Sequence, residues 1–400
     1  MLHIEEQQHA SPAIACLQRG FRPFFLGAMG YAVVVMALWL GIYVLHWNFS
    51  GLAAYGAAAY WHGHEMIFGY ALAVVAGFLL TAVQNWTGLP TVSGIKLGLL
   101  FALWAGARLF SLSAGALPTA VVLDFLFQFL LLLAIALPLY RAAKWGNFSL
   151  LVSKLVLLLA AEAVFALGLF GQLAEGLRYG LFGGLYLILS LIFVMSRRVL
   201  PFFIERAAGG TVQLRNARWL DVSALIAFVL FAVIDLIIPD SPASAGLALL
   251  LAALHGWRLA GWHHPVVWRQ PLLWVLYLAY GWLVMGFLLK AAAGFSGVMP
   301  SLAVHAFAYG GIGMISAGMM ARVSLGHTGR DIYAPPAVLK TVFTLLMTGT
   351  VIRVLLPLLL ANAYPLLIAL SQLLWLVAFL LLFMAYLPIL LRPRIDGRPG

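Results

Sequence analysis

Residues 118–140 read PTAVVLDFLFQFLLLLAIALPLY. As an α-helix this run would rise about 34 Å, because each residue adds about 1.5 Å. The hydrocarbon core of a bilayer is about 30 Å thick, and roughly 20 apolar residues are needed to cross it. The run therefore predicts a transmembrane helix.

Runs of the same kind follow one another along the chain, and short polar or Gly/Pro segments such as 85–88 and 239–242 separate them. We predict an all-α polytopic membrane protein of about twelve transmembrane helices. One transmembrane domain would cover residues 23–391, between tails at 1–22 and 392–400. The predicted spans are 23–46, 61–83, 95–112, 118–140, 150–172, 178–199, 217–238, 243–262, 271–292, 299–322, 335–358 and 365–391.

The composition excludes a soluble protein. Hydrophobic residues make up 64% of the 400 residues and charged residues 9%, with a mean hydropathy of +1.04. A soluble domain carries roughly 25% charged residues, so membrane lipid must cover most of this surface. The net charge of +11 would suggest nucleic-acid binding in a soluble protein. Here the charges lie in loops between apolar runs, so membrane topology explains them and no nucleic-acid partner is expected.

The lysines and arginines predict the orientation of the chain. With the N-terminus inside and each of the 23 assigned to the nearer helix end, 19 lie on the inner side. The other four, Arg108, Arg178, Lys290 and Arg353, lie outside. Loops rich in Lys and Arg stay in the cytoplasm. We therefore expect both termini on the cytoplasmic side.

Related motifs recur every four helices. His64 on helix 2, Arg178 on helix 6 and His305 on helix 10 are each followed, four residues on, by an aromatic residue and glycine. Arg108 and Arg353 lie at matching outer ends of helices 3 and 11. We infer three four-helix units around an axis along the membrane normal. The alternative is accidental similarity, since Gly is common in membrane helices. The units would cover residues 23–140, 150–262 and 271–391.

Histidines near the outer ends of helices 2 and 10 are candidates for a cofactor site. His64 and His305 lie at similar depth, and such groups inside a membrane indicate function by default. Imidazole binds haem iron, copper and zinc. We predict that His64 and His305 are the axial ligands of one b-type haem, with Arg108 and Arg353 as further candidate cofactor-binding residues. The alternative is that both histidines only form hydrogen bonds between helices.

His62 lies two residues before His64, hence about 200° away around a regular helix, so the two cannot both ligate one iron. His62 shares a face with Glu65 and Met66, three and four residues on. Such a face could hold copper, although carboxylate and thioether are an uneven match. A hydrogen-bonded pair of His62 and Glu65 is the alternative. The candidate metal ligands are thus His62, His64, Glu65, Met66 and His305.

The inner helix ends carry a basic set near aromatic residues. Its members are Arg19, Arg22, Arg322, His327 and Arg330. Arginines beside aromatic residues at a membrane edge could bind a lipid phosphate or the headgroup of a quinone, which makes quinol a candidate partner. The set suits a topology anchor as well.

Four motifs carry a family resemblance. They are RGFRPFFL at 19–26, WHGHEMIFGY at 61–70, GFLLTA at 77–82 with NWTG at 85–88, and GHTGR at 326–330. Through them the chain resembles the NnrS family over nearly its whole length. The resemblance implies a bacterial inner-membrane protein that contains haem and copper. It further implies a role in the response to nitric oxide and nitrosative stress during denitrification or infection, with nitric oxide or a nitrosyl species as ligand.

The helix count and the histidines on helices 2 and 10 also resemble subunit I of haem–copper oxidases and nitric oxide reductases. That resemblance implies a low-spin haem between these two helices near the outer face. Those enzymes hold copper on histidines of helices 6 and 7, whereas the predicted helices 6 and 7 here contain none. We therefore expect no copper centre between helices 6 and 7.

Three functions remain open from the sequence. The first is a haem- and copper-binding membrane protein of nitric oxide metabolism or nitrosative-stress resistance. The second is a haem-dependent membrane oxidoreductase that uses quinol to reduce nitric oxide or a related small molecule. The third is a transporter, for which twelve helices with internal repeats are also typical.

Overall fold

The computed structural model describes residues 15–210 and 212–397. The outermost parts of both predicted tails, residues 1–14 and 398–400, lie outside the described residues. Twelve long helices follow one another in the described part of the chain, and no β-strand occurs there. They are α1 (Phe21–Leu45), α2 (Ala58–Thr87), α3 (Gly94–Phe110), α4 (Leu117–Arg141), α5 (Trp145–Leu169), α6 (Gly176–Ala207), α7 (Arg218–Ile237), α8 (Pro242–Gly261), α9 (Pro271–Ser296), α10 (Pro300–His327), α11 (Val338–Val354) and α12 (Tyr364–Leu391).

Eleven helical segments of the described chain are long and apolar enough to cross a membrane. The remaining long helix, α3, has 17 residues, which is the short end of the usual range of about 17–25. The prediction of an all-α polytopic membrane protein is confirmed. Each of the twelve predicted spans coincides with one of these helices.

The helix ends differ from the predicted ones mainly at α6. We predicted an end at residue 199, whereas α6 continues through Pro201 to Ala207. The arginines at 197 and 198 mark the end of the apolar run, not of the helix. Helices continue into the polar interface because their backbone hydrogen bonds are internal and need no lipid or water.

The helices pack in chain order, and α1 contacts α12. In the most apolar 18-residue stretch of α2 and of α10, 78% is buried, compared with 33–61% in the other nine apolar spans of the described chain. These two helices therefore form the centre of the bundle. Helices α2, α6 and α10 contact one another, and Tyr70 and Ser316 join α2 to α10 by a hydrogen bond of 2.5 Å. This arrangement is consistent with three four-helix units, although the repeat stays a prediction.

Both central helices contain a π-helical segment directly after a histidine. In α2 the segment is Glu65–Ala71 and follows His64, and in α10 it is Ala306–Gly313 and follows His305. A π segment widens the helix by one residue per turn and is often found at functional sites. It also changes which residues share a face, so spacing rules for a regular helix fail beyond it.

Candidate functional site

A cavity of about 610 Å³ lies beside the two π segments. Helices α1, α2, α6, α7, α9, α10, α11 and α12 contribute to its walls. His62 and His305 both line it, and His64 does not. The volume lies within the roughly 300–1,000 Å³ typical of pockets for small molecules and cofactors. The cavity is therefore the candidate functional site.

The imidazole of His305 is held in one tautomer. Its Nδ1–H donates to the carbonyl oxygen of Ser301, one turn earlier, over 2.8 Å. Its Nε2 accepts from Nη2 of Arg353 over 3.3 Å. A backbone carbonyl on Nδ1 is the usual way to orient a ligating histidine. In this structure Arg353 engages the Nε2 lone pair, so a ligand at Nε2 would displace that guanidinium.

His62 is fixed by stacking. Its ring lies parallel to that of Trp39, with the ring centroids 4.5 Å apart. Its Nδ1 is buried and has no hydrogen-bond partner among the residues that the structure describes. A buried imidazole nitrogen without a partner costs free energy unless something binds it. Met66, one turn on, lines the same cavity.

Cationic side chains also line the cavity. Lys290 pairs with Asp235 over 3.0 Å and with Asp240 over 2.7 Å, so two carboxylates offset its charge. Arg353 contacts His305 and the hydroxyl of Tyr364. Within the described chain it has no carboxylate partner. Arg353 therefore leaves a buried positive charge beside a histidine, which favours an anionic group in the cavity.

His64 points away from the cavity into a network of charged groups. Its Nδ1 lies 3.0 Å from Oε1 of Glu65, and its Nε2 lies 3.0 Å from Oε1 of Glu162 on α5. Arg108 binds Glu65 over 2.8 Å and also Asp124 on α4. Tyr31 is hydrogen-bonded to Glu65 as well. These side chains are buried, so helices and not water surround their charges.

The structure thus brings His305 together with His62 and not with His64. The expectation that His62 and His64 face opposite ways is met, since the two lie before the π segment on regular helix. The expectation that His64 faces His305 is not met. Residues related by rotation occupy equivalent places in two different units, which does not bring them face to face. The predicted equivalence of Arg108 and Arg353 fits this view. Arg108 contacts Glu65, the first residue of the π segment in α2, and Arg353 contacts His305, the residue before the π segment in α10.

The predicted set of His62, Glu65 and Met66 is not assembled either. His62 and Met66 share the cavity, but Glu65 is bound to His64, Arg108 and Tyr31. Glu65 still has α-helical backbone angles, so the reason is its partners, because a buried carboxylate pairs with a cation within reach, here Arg108.

The inner basic set is partly assembled. Arg22 is fully buried, and its Nη1 donates to the carbonyls of Leu390 over 2.9 Å and Arg392 over 2.7 Å. Arg19 and Arg330 lie near enough to interact with its charge. Burial is the larger cause that lowers the pKa of Arg19, and repulsion from Arg394, which follows α12, lowers it further. Arg22 therefore ties α1 to the end of α12, a structural role.

The two other members of that set differ. The His327 ring packs 5.6 Å from that of Phe21, beside the arginine cluster. Arg322 lies apart, with its guanidinium 3.8 Å from the ring centre of Phe203 on α6. The structure therefore joins Arg19, Arg22, His327 and Arg330 and leaves Arg322 outside the group.

The sequence did not reveal that two acidic residues, Asp124 and Glu162, lie beside His64. Asp124 and Glu162 lie inside long apolar helices, and Asp235 and Lys290 do so on the cavity side. The signal was available, because any charged residue in a transmembrane run indicates a partner or a function. Which charge meets which depends on helix packing, and no spacing in the sequence predicts that.

Two comparisons with known proteins complete the description. A family model described as NnrS protein matches residues 15–394. No curated protein matches the chain. The match spans the whole bundle, including both π segments and the cavity.

Proposed function

The chain belongs to the NnrS family, and on that premise we propose that it is a haem-binding membrane protein of the nitric oxide response. Membership of the family fits a role in that response. The haem would lie in the 610 Å³ cavity, with His62 and His305 as axial ligands. This pair replaces the pair of His64 and His305 that the motif spacing suggested.

The observation that supports the proposal is the presence of two imidazoles in one cavity. His305 has its Nδ1 on a backbone carbonyl, and His62 has a buried nitrogen without a partner in the described chain. The hydrogen bond to the Ser301 carbonyl orients the ring of His305 as an axial ligand, and stacking on Trp39 orients the ring of His62. His64 is a poor candidate for this haem, because it does not line the cavity and its ring nitrogens face two carboxylates.

The remaining walls suit a macrocycle with acidic substituents. Trp39, Tyr70 and Trp375 line the cavity with aromatic surface. Arg353 offers a positive charge to a carboxylate, a pairing that Arg makes with two parallel hydrogen bonds. A bound haem would supply an iron at which nitric oxide could take the place of one of the two histidines, while these side chains would hold the haem, orient it and keep water away.

Copper fits the cavity less well. The carboxylate of the predicted His62, Glu65 and Met66 set is engaged elsewhere, which leaves that set with one imidazole and one thioether. His305 is the other imidazole of the cavity, and the proposal assigns it to the haem. We derive no role for copper in this cavity.

The cellular setting belongs to the same proposal. The chain is a multi-pass membrane protein, and lipid contacts its exposed apolar side chains. We propose the bacterial inner membrane with both termini in the cytoplasm, because 19 of the 23 lysines and arginines then lie inside.

The test is an optical analysis of the purified full-length protein. We expect about one b-type haem per chain by pyridine haemochromogen assay, and a Soret band that shifts when nitric oxide is added. A preparation without any Soret band, even after haem is supplied during expression, would overturn the proposal and favour a transporter. Anaerobic consumption of nitric oxide with quinol would add an enzymatic activity to haem binding.

A further inference from the structure

The ionic network around His64 is separate from the cavity and has chemistry of its own. One ligand atom each from His64, Asp124 and Glu162 lies within 4.8 Å of the other two. All three side chains are buried, with 4%, 3% and 1% of their residue surface exposed. They come from three helices, α2, α4 and α5, which fixes their relative positions without any loop.

The fixed charges of this network do not balance. Glu65, Asp124 and Glu162 provide three carboxylates, and Arg108 is the one guanidinium that pairs with any of them in the described chain. With a neutral His64, two negative charges are uncompensated. A protonated, charged His64 would still leave one negative charge uncompensated. An uncompensated charge that helices shield from water is costly, so either protons or a metal cation must offset it.

The hydrogen-bonding pattern orients His64 as a ligand. Glu65 faces Nδ1 of His64 and is itself held by Arg108 and Tyr31. A carboxylate on one imidazole nitrogen is the common way to direct the other nitrogen to a metal. Here the other nitrogen, Nε2, faces Oε1 of Glu162 over 3.0 Å. If the ring proton is on Nδ1, the lone pair of His64 Nε2 faces a lone pair of Glu162 Oε1. These lone pairs repel unless a cation lies between them.

A further polar atom at this point lacks a partner. Oε2 of Glu162 is buried and accepts no hydrogen bond within the described chain. Aromatic rings surround the group, since the ring of Phe165 lies 4.7 Å from that of His64 and the ring of Phe68 lies 5.3 Å from it. They exclude water that would otherwise solvate the carboxylates.

We propose that His64, Asp124 and Glu162 form a binding site for one divalent first-row transition cation, distinct from the cavity of His62 and His305. A divalent ion with a neutral His64 makes the network electrically neutral. One imidazole and two carboxylates are borderline-to-hard ligands, which suit Zn²⁺, Mn²⁺ or Fe²⁺ better than Cu⁺. The ion would join α2, α4 and α5, while Glu65, Arg108 and Tyr31 position its histidine.

The test uses the full-length protein in detergent, stripped with a chelator and equilibrated with Zn²⁺. Bound zinc is measured by mass spectrometry after gel filtration. We expect about one equivalent in the wild type. His64→Gln, Asp124→Asn and Glu162→Gln should each weaken zinc binding at least about 10-fold. The control is Asp221→Asn, which alters a carboxylate paired with Arg197 and Arg258 outside both the cavity and the network and should keep the zinc.

A second measurement uses the wild-type protein alone, so its result does not depend on whether a variant folds. X-ray absorption at the zinc edge should show a shell of nitrogen and oxygen with the scattering of one imidazole. Three results would overturn the site: no stoichiometric zinc in the wild type, zinc retained by all three ligand variants, or sulfur in the zinc shell. The first would mean that protons neutralise the network. Haem measured in the same samples tests the proposed function independently.

Discussion

Two histidines separated by one residue have different environments. His62 stacks on Trp39 and lines the cavity, whereas His64 is enclosed by Glu65 and Glu162. Helical geometry predicts that they face different ways, because two residues turn a helix by about 200°. The sequence did not predict which residues surround each of the two histidines. It depends on which helix lies on each side, and thus on packing.

Arg353 carries a prediction at the same scale. Its guanidinium has no carboxylate partner in the described chain and contacts His305. Charge-assisted hydrogen bonds contribute about 1.5–3 kcal/mol, and about 1.4 kcal/mol corresponds to a factor of ten. We therefore expect Arg353→Gln to weaken haem binding about 10- to 100-fold, measured by titrating haem into apoprotein.

The control for Arg353 is Arg215→Gln, an exposed arginine in the segment between α6 and α7. It removes one positive charge far from the cavity and should leave haem affinity unchanged. Equal losses in both variants would mean that the cavity arginine acts only through the net charge of the protein.

At the scale of helices, most of the architecture was predictable. Apolar runs of about 20 residues have one stable form in lipid, because a helix satisfies its own backbone hydrogen bonds. The π segments at Glu65–Ala71 and Ala306–Gly313 were not predictable, since no residue preference marks them. The partners of Glu65, namely His64, Arg108 and Tyr31, were not predictable either, and they hold Glu65 away from His62.

Close packing of α5 on α6 gives a prediction at this scale. A Cβ at Gly180 would lie 2.5 Å from the backbone nitrogen of Phe165 and 2.6 Å from the carbonyl oxygen of Ala161. Backbone atoms cannot rotate away, so Gly180→Ala must push the helices apart. Overpacking of this kind costs about 1–3 kcal/mol. We expect a lower midpoint of thermal unfolding in detergent.

The matched control lies one turn along the same helix. A Cβ at Gly183 would meet the Cβ of Ala161 at 3.7 Å, an ordinary contact. Gly183→Ala should be neutral or slightly stabilising, since alanine favours a helix by up to about 1 kcal/mol. A Gly180→Ala protein as stable as the Gly183→Ala protein would contradict the observed α5–α6 packing.

For the whole molecule, the count of helices and the distribution of charge together predict the orientation. Twelve helices place both termini on one side, and the segments 88–93 and 208–217 between helices would lie in the cytoplasm with the basic residues. The segments 46–49 and 238–241 would lie outside. Reporter fusions ending in each segment check this. A cytoplasmic signal at 238–241 together with an outside signal at 208–217 would reverse the orientation.

The pairing of His62 with His305 is tested most directly by comparing histidine variants of the purified protein. The low-spin haem spectrum, recorded optically and by electron paramagnetic resonance, should be lost in His62→Ala and in His305→Ala. It should persist in His64→Gln, which alters the neighbouring ionic network, and in His264→Ala, which alters a segment between α8 and α9. Loss of the low-spin spectrum in His64→Gln, with the spectrum retained in His62→Ala, would contradict the pairing.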